Sequence, residues 1–469
     1  MLKPQEIEIP TDKPFHNCAL GREQYANILT DIIRYYATEG CVLALNAAWG
    51  AGKTTFVKMW QQKLKNDHFC TLYFNAWECD FTTDPLIALM AELEELNGDR
   101  KTYQDAASKI GRVIWAVTMS AGKQIMKNKI GVDSEVIDNV VDKISELGEE
   151  ALKEYKKQHV CLNTFRNQLR DYVASSSSND KPIVFFIDEL DRCNPYFAVR
   201  LLERIKHLFI VPNIVFVLSV NSQQLQYSIQ GYYGSSAFNA KEYLRRFIDI
   251  EYNLPEPDIE SYCRYLYNRY GFKDFFNHKE RTKYRQMQHE GEAFMEIVKV
   301  VASPEKVTLR DLEQMFIYTR LALNGFAPNS MAIPNVFFLL IYWKFTDIEL
   351  YQAIVNHQLS CVDLLARIER HTPRRKMVED QNNELRSFIY VIARLITSYN
   401  YHENHYEIEN ILVKQEDTKD ESSIFEPQFF SKQIFDEAVK LYYKSFDGKI
   451  PLTHLIHRIE LMNNLTRYE

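Results

Sequence analysis

Glycine and proline are scarce in this chain, 15 of each among 469 residues, which excludes collagen-like and linker-dominated architectures. The eight cysteines include no C-x-x-C pair and no grouping with histidine at ligand spacing. Neither a zinc module nor a disulfide framework is therefore indicated. Several of them lie in apolar runs, where cysteine acts as a small hydrophobe, and a reducing cytoplasm is the expected compartment. Long hydrophobic runs are also missing. The longest, Val336–Trp343, is under half a membrane span, and Val113–Met119 is short and flanked by Arg112 and Lys123. Met1–Glu6 has no apolar core of the kind a secretory leader carries. No membrane association is expected. Nor is there an excess of positive charge: 56 Lys and Arg face 63 Asp and Glu, a net charge of −7. A dominant nucleic-acid surface is not indicated, although a local patch stays open. No internal repeat is found, and Ser175–Ser178 is the single low-complexity tract.

What is present points to a folded, core-rich protein, with 13% aromatic residues and a length that predicts two or three domains. Residues 15–40 read as a helix. The apolar runs Cys41–Leu45, Cys70–Phe74, Ile183–Ile187 and Ile214–Val220 read as strands. A helix of crossover length, Phe197–Phe209, separates the last two. Strands alternating with helices predict a parallel sheet with right-handed crossovers. Residues 84–170 carry two apolar stripes at helical spacing and read as a helical insertion bounded by charges. Beyond Leu254-Pro255-Glu256-Pro257 strand signals stop, and the rest reads as mainly helical with a polar loop from Gln415 to Ser423.

Between the first strand and a helical pattern beginning at Phe56 lies Ala47-Ala48-Trp49-Gly50-Ala51-Gly52-Lys53-Thr54-Thr55. A strand, a small-residue turn and a helix form the context a phosphate-binding P-loop requires. Gly50 and Gly52 let successive N–H groups of Trp49–Thr55 converge on phosphate oxygens, and the following helix aims its positive end there. Lys53 would reach the β- and γ-phosphates, and the Thr54 hydroxyl would ligate Mg²⁺. Ala47 stands where the first glycine of the pattern is usual, tolerable if its φ is negative.

Asp188-Glu189 closes the strand Ile183–Ile187, so both carboxyls emerge at the edge where open α/β sheets place ligands. Asp188 is the expected Mg²⁺ carboxylate and Glu189 the expected base for the attacking water. A solvated strand-end turn is the plain alternative. Arg192 would either sense phosphate or pair with Asp188 or Asp191. Asn221 would either order the attacking water or cap the next helix. Arg245 and Arg246 would either reach a neighbouring subunit's nucleotide or solvate a helix end. Arg310 would either reach phosphate or pair with Asp311 or Glu313. The basic triplet Arg374-Arg375-Lys376 is expected to be solvated.

With these residues in place, the sequence resembles the KAP family of P-loop NTPases, relatives of the STAND and AAA+ groups. The resemblance rests on Ala48–Thr54, Tyr73-Phe74-Asn75-Ala76-Trp77 and Asp188–Cys193. It rests further on Phe216–Asn221, Tyr243–Phe247 and Thr308–Glu313, together spanning about residues 15–345. Ala47 departs from the family pattern, and residues 84–170 lack the transmembrane helices of its membrane members. The resemblance implies an ATPase domain over 1–257, a helical lid-like subdomain over 258–345 and a helical region of unassigned role over 346–469. It further implies a switch or motor that uses ATP and Mg²⁺, often in bacterial conflict systems including defence against phage. Co-encoded effector proteins and self-association are the expected partnerships. A nucleotide-gated scaffold with little turnover is the alternative. A helicase is disfavoured for want of a second α/β lobe, and a GTPase because Asn128-Lys129-Ile130-Gly131 lacks the guanine-reading aspartate.

Overall fold

The computed structural model describes residues 7–82, 181–209, 211–302, 307–371, 384–401, 409–414, 421–445 and 449–462, with single positions at 85, 88, 89, 167, 170 and 407. The expected helical insertion at 84–170 and the triplet at 374–376 thus lie outside the described residues, apart from those isolated positions. The chain divides into two compact units, Ile7–Pro255 and Glu256–Glu469.

The first unit is built on five strands, β1 (Cys41–Asn46), β2 (Cys70–Asn75), β3 (Ile183–Asp188), β4 (Ile214–Val220) and β5 (Ile250–Asn253), in the order β2-β3-β4-β1-β5. All neighbouring pairs run parallel. Both faces of the sheet are covered, which is why the central strands are continuous apolar runs rather than alternating ones. Val42, Ala44, Phe185, Ile187, Phe216 and Leu218 pack on one side with Phe197, Leu201 and Leu225. Those last three lie on α3 (Pro195–Arg204) and α4 (Ser222–Tyr233). Leu43, Leu45, Val184, Phe186, Val215 and Val217 face the other way, onto α1 (Glu23–Tyr36) and α2 (Lys53–Asn66). Fully buried Trp60 anchors α2: its ring meets Phe186 edge-on at 5.2 Å and its Nε1 donates to Thr30 Oγ1 at 2.9 Å.

Several boundaries differ from the sequence reading for local reasons. The entry helix starts only at Glu23, after Gly21 at φ +61°. The P-loop helix starts three residues earlier than its apolar pattern, at Lys53. The crossover helix starts at Pro195, behind the N-cap Asn194, and ends as α-helix at Arg204, followed by a wider π-type turn over Ile205–Phe209. A fifth short helix, α5 (Ala240–Leu244), precedes β5.

The second unit is mainly helical. Its longer helices include Ile259–Arg269, Glu290–Val301, Leu309–Leu323, Pro334–Thr346, Glu384–Tyr399 and Lys432–Lys444. Its core holds Phe272, Phe276, Phe294, Phe316 and Phe338; the rings of Phe272 and Phe294 stack at 4.8 Å. The polar loop expected at 415–423 is corrected in part. Glu421–Ser423 is a strand, paired antiparallel with Leu412–Lys414. Three-residue strands are too short for a period of two to show in sequence.

Candidate nucleotide-binding site

The site is assembled at the carboxyl edge of the sheet. Neighbour pairing places Asn75, Asp188, Ser219, Leu45 and Tyr252 in one row across β2, β3, β4, β1 and β5. Residues paired across parallel strands share a face. Asp188 and Ser219 therefore lie on the α1/α2 face, with Phe186 and Val217. Because β4 runs between β1 and β3, the loop leaving β1 and the carboxyl ending β3 stand on either side of it.

That loop turns as the sequence requires. Gly50 and Gly52 have φ of +75° and +78°, the left-handed region that glycine enters freely. Ala47 keeps a negative φ, so its methyl group brings no backbone strain. Gly52 is the N-cap of α2 and has no side chain to offer the first-turn N–H groups, which leaves them for an anion. Lys53 is buried, and its Nζ donates to the carbonyls of Ala47 at 2.7 Å and Ala48 at 3.1 Å. Burial lowers the Lys53 pKa; Asp191 and Asp188 oppose that shift, while the charge of Arg192 adds to it. The Thr54 and Thr55 hydroxyls make no hydrogen bond among the described residues.

Asp188 is 1% exposed, and its carboxyl accepts from Tyr73 Oη at 3.1 Å and from the Glu189 N–H at 3.0 Å. Burial and the neighbouring Asp188 raise the Tyr73 pKa, so the phenol stays protonated and donates. Asp188 has no ion pair among the described residues. Its hydrogen bonds come from neutral donors alone, and the charge of nearby Lys53 offsets part of the cost of burying it. Beside it the Ser219 hydroxyl is buried with no hydrogen-bond partner among the described residues. Together with Thr54 these groups suit Mg²⁺, which keeps several waters and takes few protein oxygens. No set of three or more His, Cys, Asp or Glu among the described residues could hold a metal by itself.

Glu189 sits at φ +62°, a left-handed conformation costing a non-glycine residue roughly 1–3 kcal/mol. It opens a tight turn, Leu190–Arg192, closed by Arg192 N–H to the Glu189 carbonyl at 3.1 Å. The turn brings Arg192 Nη1 within 3.0 Å of Glu189 Oε1. The expected pairing of Arg192 with Asp188 or Asp191 is thus replaced by one with Glu189. Asp191 instead accepts from Trp49 Nε1 at 2.5 Å, which ties the P-loop to the β3 turn. Three carboxyls, Asp188, Glu189 and Asp191, face two cations, Lys53 and Arg192. A phosphate chain entering this ring is repelled unless it brings a divalent cation.

The remaining residues singled out in the sequence fall on the rim or away from it. Asn221 Oδ1 accepts from the N–H groups of Gln223 and Gln224 and caps α4. Arg245 is exposed and pairs with Glu242 at 3.1 Å. The Arg246 side chain is exposed and engages no partner among the described residues. Arg310 is also exposed and forms neither of its expected pairs. Asp311 is taken by the capping box with Thr308, and Glu313 accepts from Tyr270 Oη at 2.6 Å.

Four residues of the site were assigned no role in nucleotide binding from the sequence. Ser219, Tyr73 and Asp191 are placed by register and by a turn, which no local pattern reveals. Arg22 had a signal, the Gly21-Arg22-Glu23 string ahead of α1. It is 2% exposed and donates to the Ala51 carbonyl of the P-loop at 2.7 Å and to the Pro255 carbonyl at 3.4 Å. Burial lowers its pKa to about 10.

The model of the KAP family P-loop domain matches residues 22–356. The chain belongs to the KAP family. As a KAP P-loop protein it is nucleotide-binding. Among solved structures it is similar to PCH-2 of C. elegans, with 13% identity over 70% of this chain and 68% of that one at a TM-score of 0.30. The ORC2 protein of Aeropyrum pernix in its ADPNP–ADP complexes is similar at 10% identity over 94% and 95% of the two chains, with a TM-score of 0.34. No curated protein matches. Among the described residues of this KAP protein no helix is long and apolar enough to cross a membrane.

Proposed function

We propose that this KAP protein is an ATP-hydrolysing regulatory ATPase, a nucleotide-driven switch or motor that couples nucleotide state to its helical unit and a partner. The observation that carries this reading is the register row that sets buried Asp188 across β4 from the P-loop, with the Ser219 hydroxyl of β4 between them and without a hydrogen-bond partner among the described residues. Trp49–Thr55 hold the phosphate chain, and Lys53 leaves the loop carbonyls for the β- and γ-phosphates. Thr54 and Asp188 would hold Mg²⁺, which would neutralise phosphate charge. Glu189 polarises the attacking water. Asn221 orders that water through its amide N–H, since its oxygen caps α4. Of the two arginines ahead of β5, Arg246 is the better candidate to act on a neighbour's nucleotide, because Arg245 is already paired with Glu242.

A gated scaffold with little turnover is the second reading, favoured by the ion pair that occupies Glu189. The family points to bacterial conflict and phage defence as the setting, with co-encoded effectors as partners; phage plating on cells carrying the intact system tests it. The biochemical test is ATP turnover by the purified protein alone, with single- and double-stranded DNA, and with co-encoded proteins. Turnover abolished by Glu189→Gln supports the ATPase. Tight ATP binding without turnover under every condition supports the scaffold.

A further inference from the structure

Glu189 can polarise water only with its carboxylate turned toward the nucleotide, yet the ion pair of its Oε1 with Arg192 Nη1, 3.0 Å away, fixes that carboxylate's direction. The same guanidinium lies over the Trp77 ring, 5.5 Å from its centroid. Trp77 is 51% exposed and Arg192 is half-buried, so neither is locked in the core. Lys53 and Arg192 are close enough that each positive charge bears on the other. An anion arriving between them relieves that repulsion, and a terminal phosphate outbids a single carboxylate for a guanidinium through its greater charge and its fit to the planar fork.

We propose that Arg192 is a γ-phosphate-sensing residue that restrains Glu189 until a nucleoside triphosphate draws it away. ADP, which ends one phosphate short, leaves the Arg192–Glu189 pair in place. ATP breaks the pair, frees the Glu189 carboxylate for water and uncovers the Trp77 ring. The restraint suits the strained backbone at Glu189: its φ of +62° holds the carboxyl at the site's mouth, leaving the side chain's partner as the variable. The inference deepens the ATPase reading and rests on it.

The test compares affinities for Mg-ADP and a non-hydrolysable Mg-ATP analogue, with tryptophan fluorescence recorded in the same titrations. Wild-type protein is expected to bind both, and the analogue alone should change the fluorescence. Arg192→Gln should keep its ADP affinity within about twofold and lose about tenfold for the analogue, near 1.4 kcal/mol. Arg192→Lys, which keeps the charge without the fork, should recover part of that loss. Trp77→Phe should silence the fluorescence response, which separates Trp77 from Trp49. Equal weakening of both nucleotides by Arg192→Gln, or an identical fluorescence change with ADP, overturns the sensing role and leaves the ATPase reading standing. Wild-type protein that binds neither nucleotide removes the ATPase reading and this inference together.

Discussion

At the scale of single residues, the site is a balance of buried charges, and each change has a direction. Lys53→Ala removes a cation from the phosphate cradle but leaves the β1–α2 turn intact, since Gly50 and Gly52 make that turn. Mg-ATP affinity is expected to fall by at least about a hundredfold, or 2.8 kcal/mol, with the circular dichroism and melting curve preserved. Calorimetric titration checks this; an unchanged affinity in folded protein would sink the P-loop assignment. Glu189→Gln keeps the side chain's shape and leaves Asp188 on the metal. It should preserve binding while slowing turnover by about 10²–10⁴-fold, the usual worth of a general base. Normal single-turnover rates in the variant would mean that another group activates the water.

At the scale of elements, two polar contacts in the helical unit lend themselves to test. Arg281 is 1% and Glu290 6% exposed, and Glu290 also accepts from the Ala332 N–H at 3.2 Å. Truncating Glu290 to alanine strands a buried guanidinium, which should cost roughly 3–5 kcal/mol. The double change Arg281→Met, Glu290→Leu removes both charges and should recover much of that loss. Urea unfolding of both variants decides, and equal losses would show that the pair is not coupled. His454 is the second contact. It is half-buried beside Phe326, with a ring nitrogen 3.1 Å from the Met331 carbonyl, and its pKa lies below 6.5, mainly through burial. A lowered histidine pKa means the unfolded chain takes up the proton first. Stability from this group is therefore full above pH 6.5 and is lost as pH falls through the lower folded value. Melting temperatures of wild type and His454→Gln between pH 5 and 7.5 should diverge, with the steeper acid decline in wild type; parallel curves would exclude the residue.

At the scale of the whole molecule, the proposed control is assembly. Exposed Arg246, with no side-chain partner among the described residues, follows α5 at the start of the turn into β5. An arginine supplied by a neighbour adds its charge only in the complete assembly, so hydrolysis should depend on protein concentration. Glu189→Gln and Arg246→Ala subunits should each be nearly inactive alone and regain part of the turnover when mixed. Specific activity independent of dilution in a strict monomer would exclude the arrangement.

The P-loop, the carboxyls ending β3 and the parallel sheet were legible in the sequence because each is written locally. A glycine turn needs its glycines close together in the chain, as Gly50 and Gly52 are, and a buried parallel strand needs an unbroken apolar run. Tertiary structure alone decided which polar groups meet. Register between β3 and β4 placed Ser219 beside Asp188. A left-handed residue turned Arg192 onto Glu189 and Asp191 onto Trp49. Burial put Arg22 under the P-loop from 29 residues upstream. Those pairings depend on strand order and on the exclusion of water from groups distant in sequence, and no window along the chain carries either.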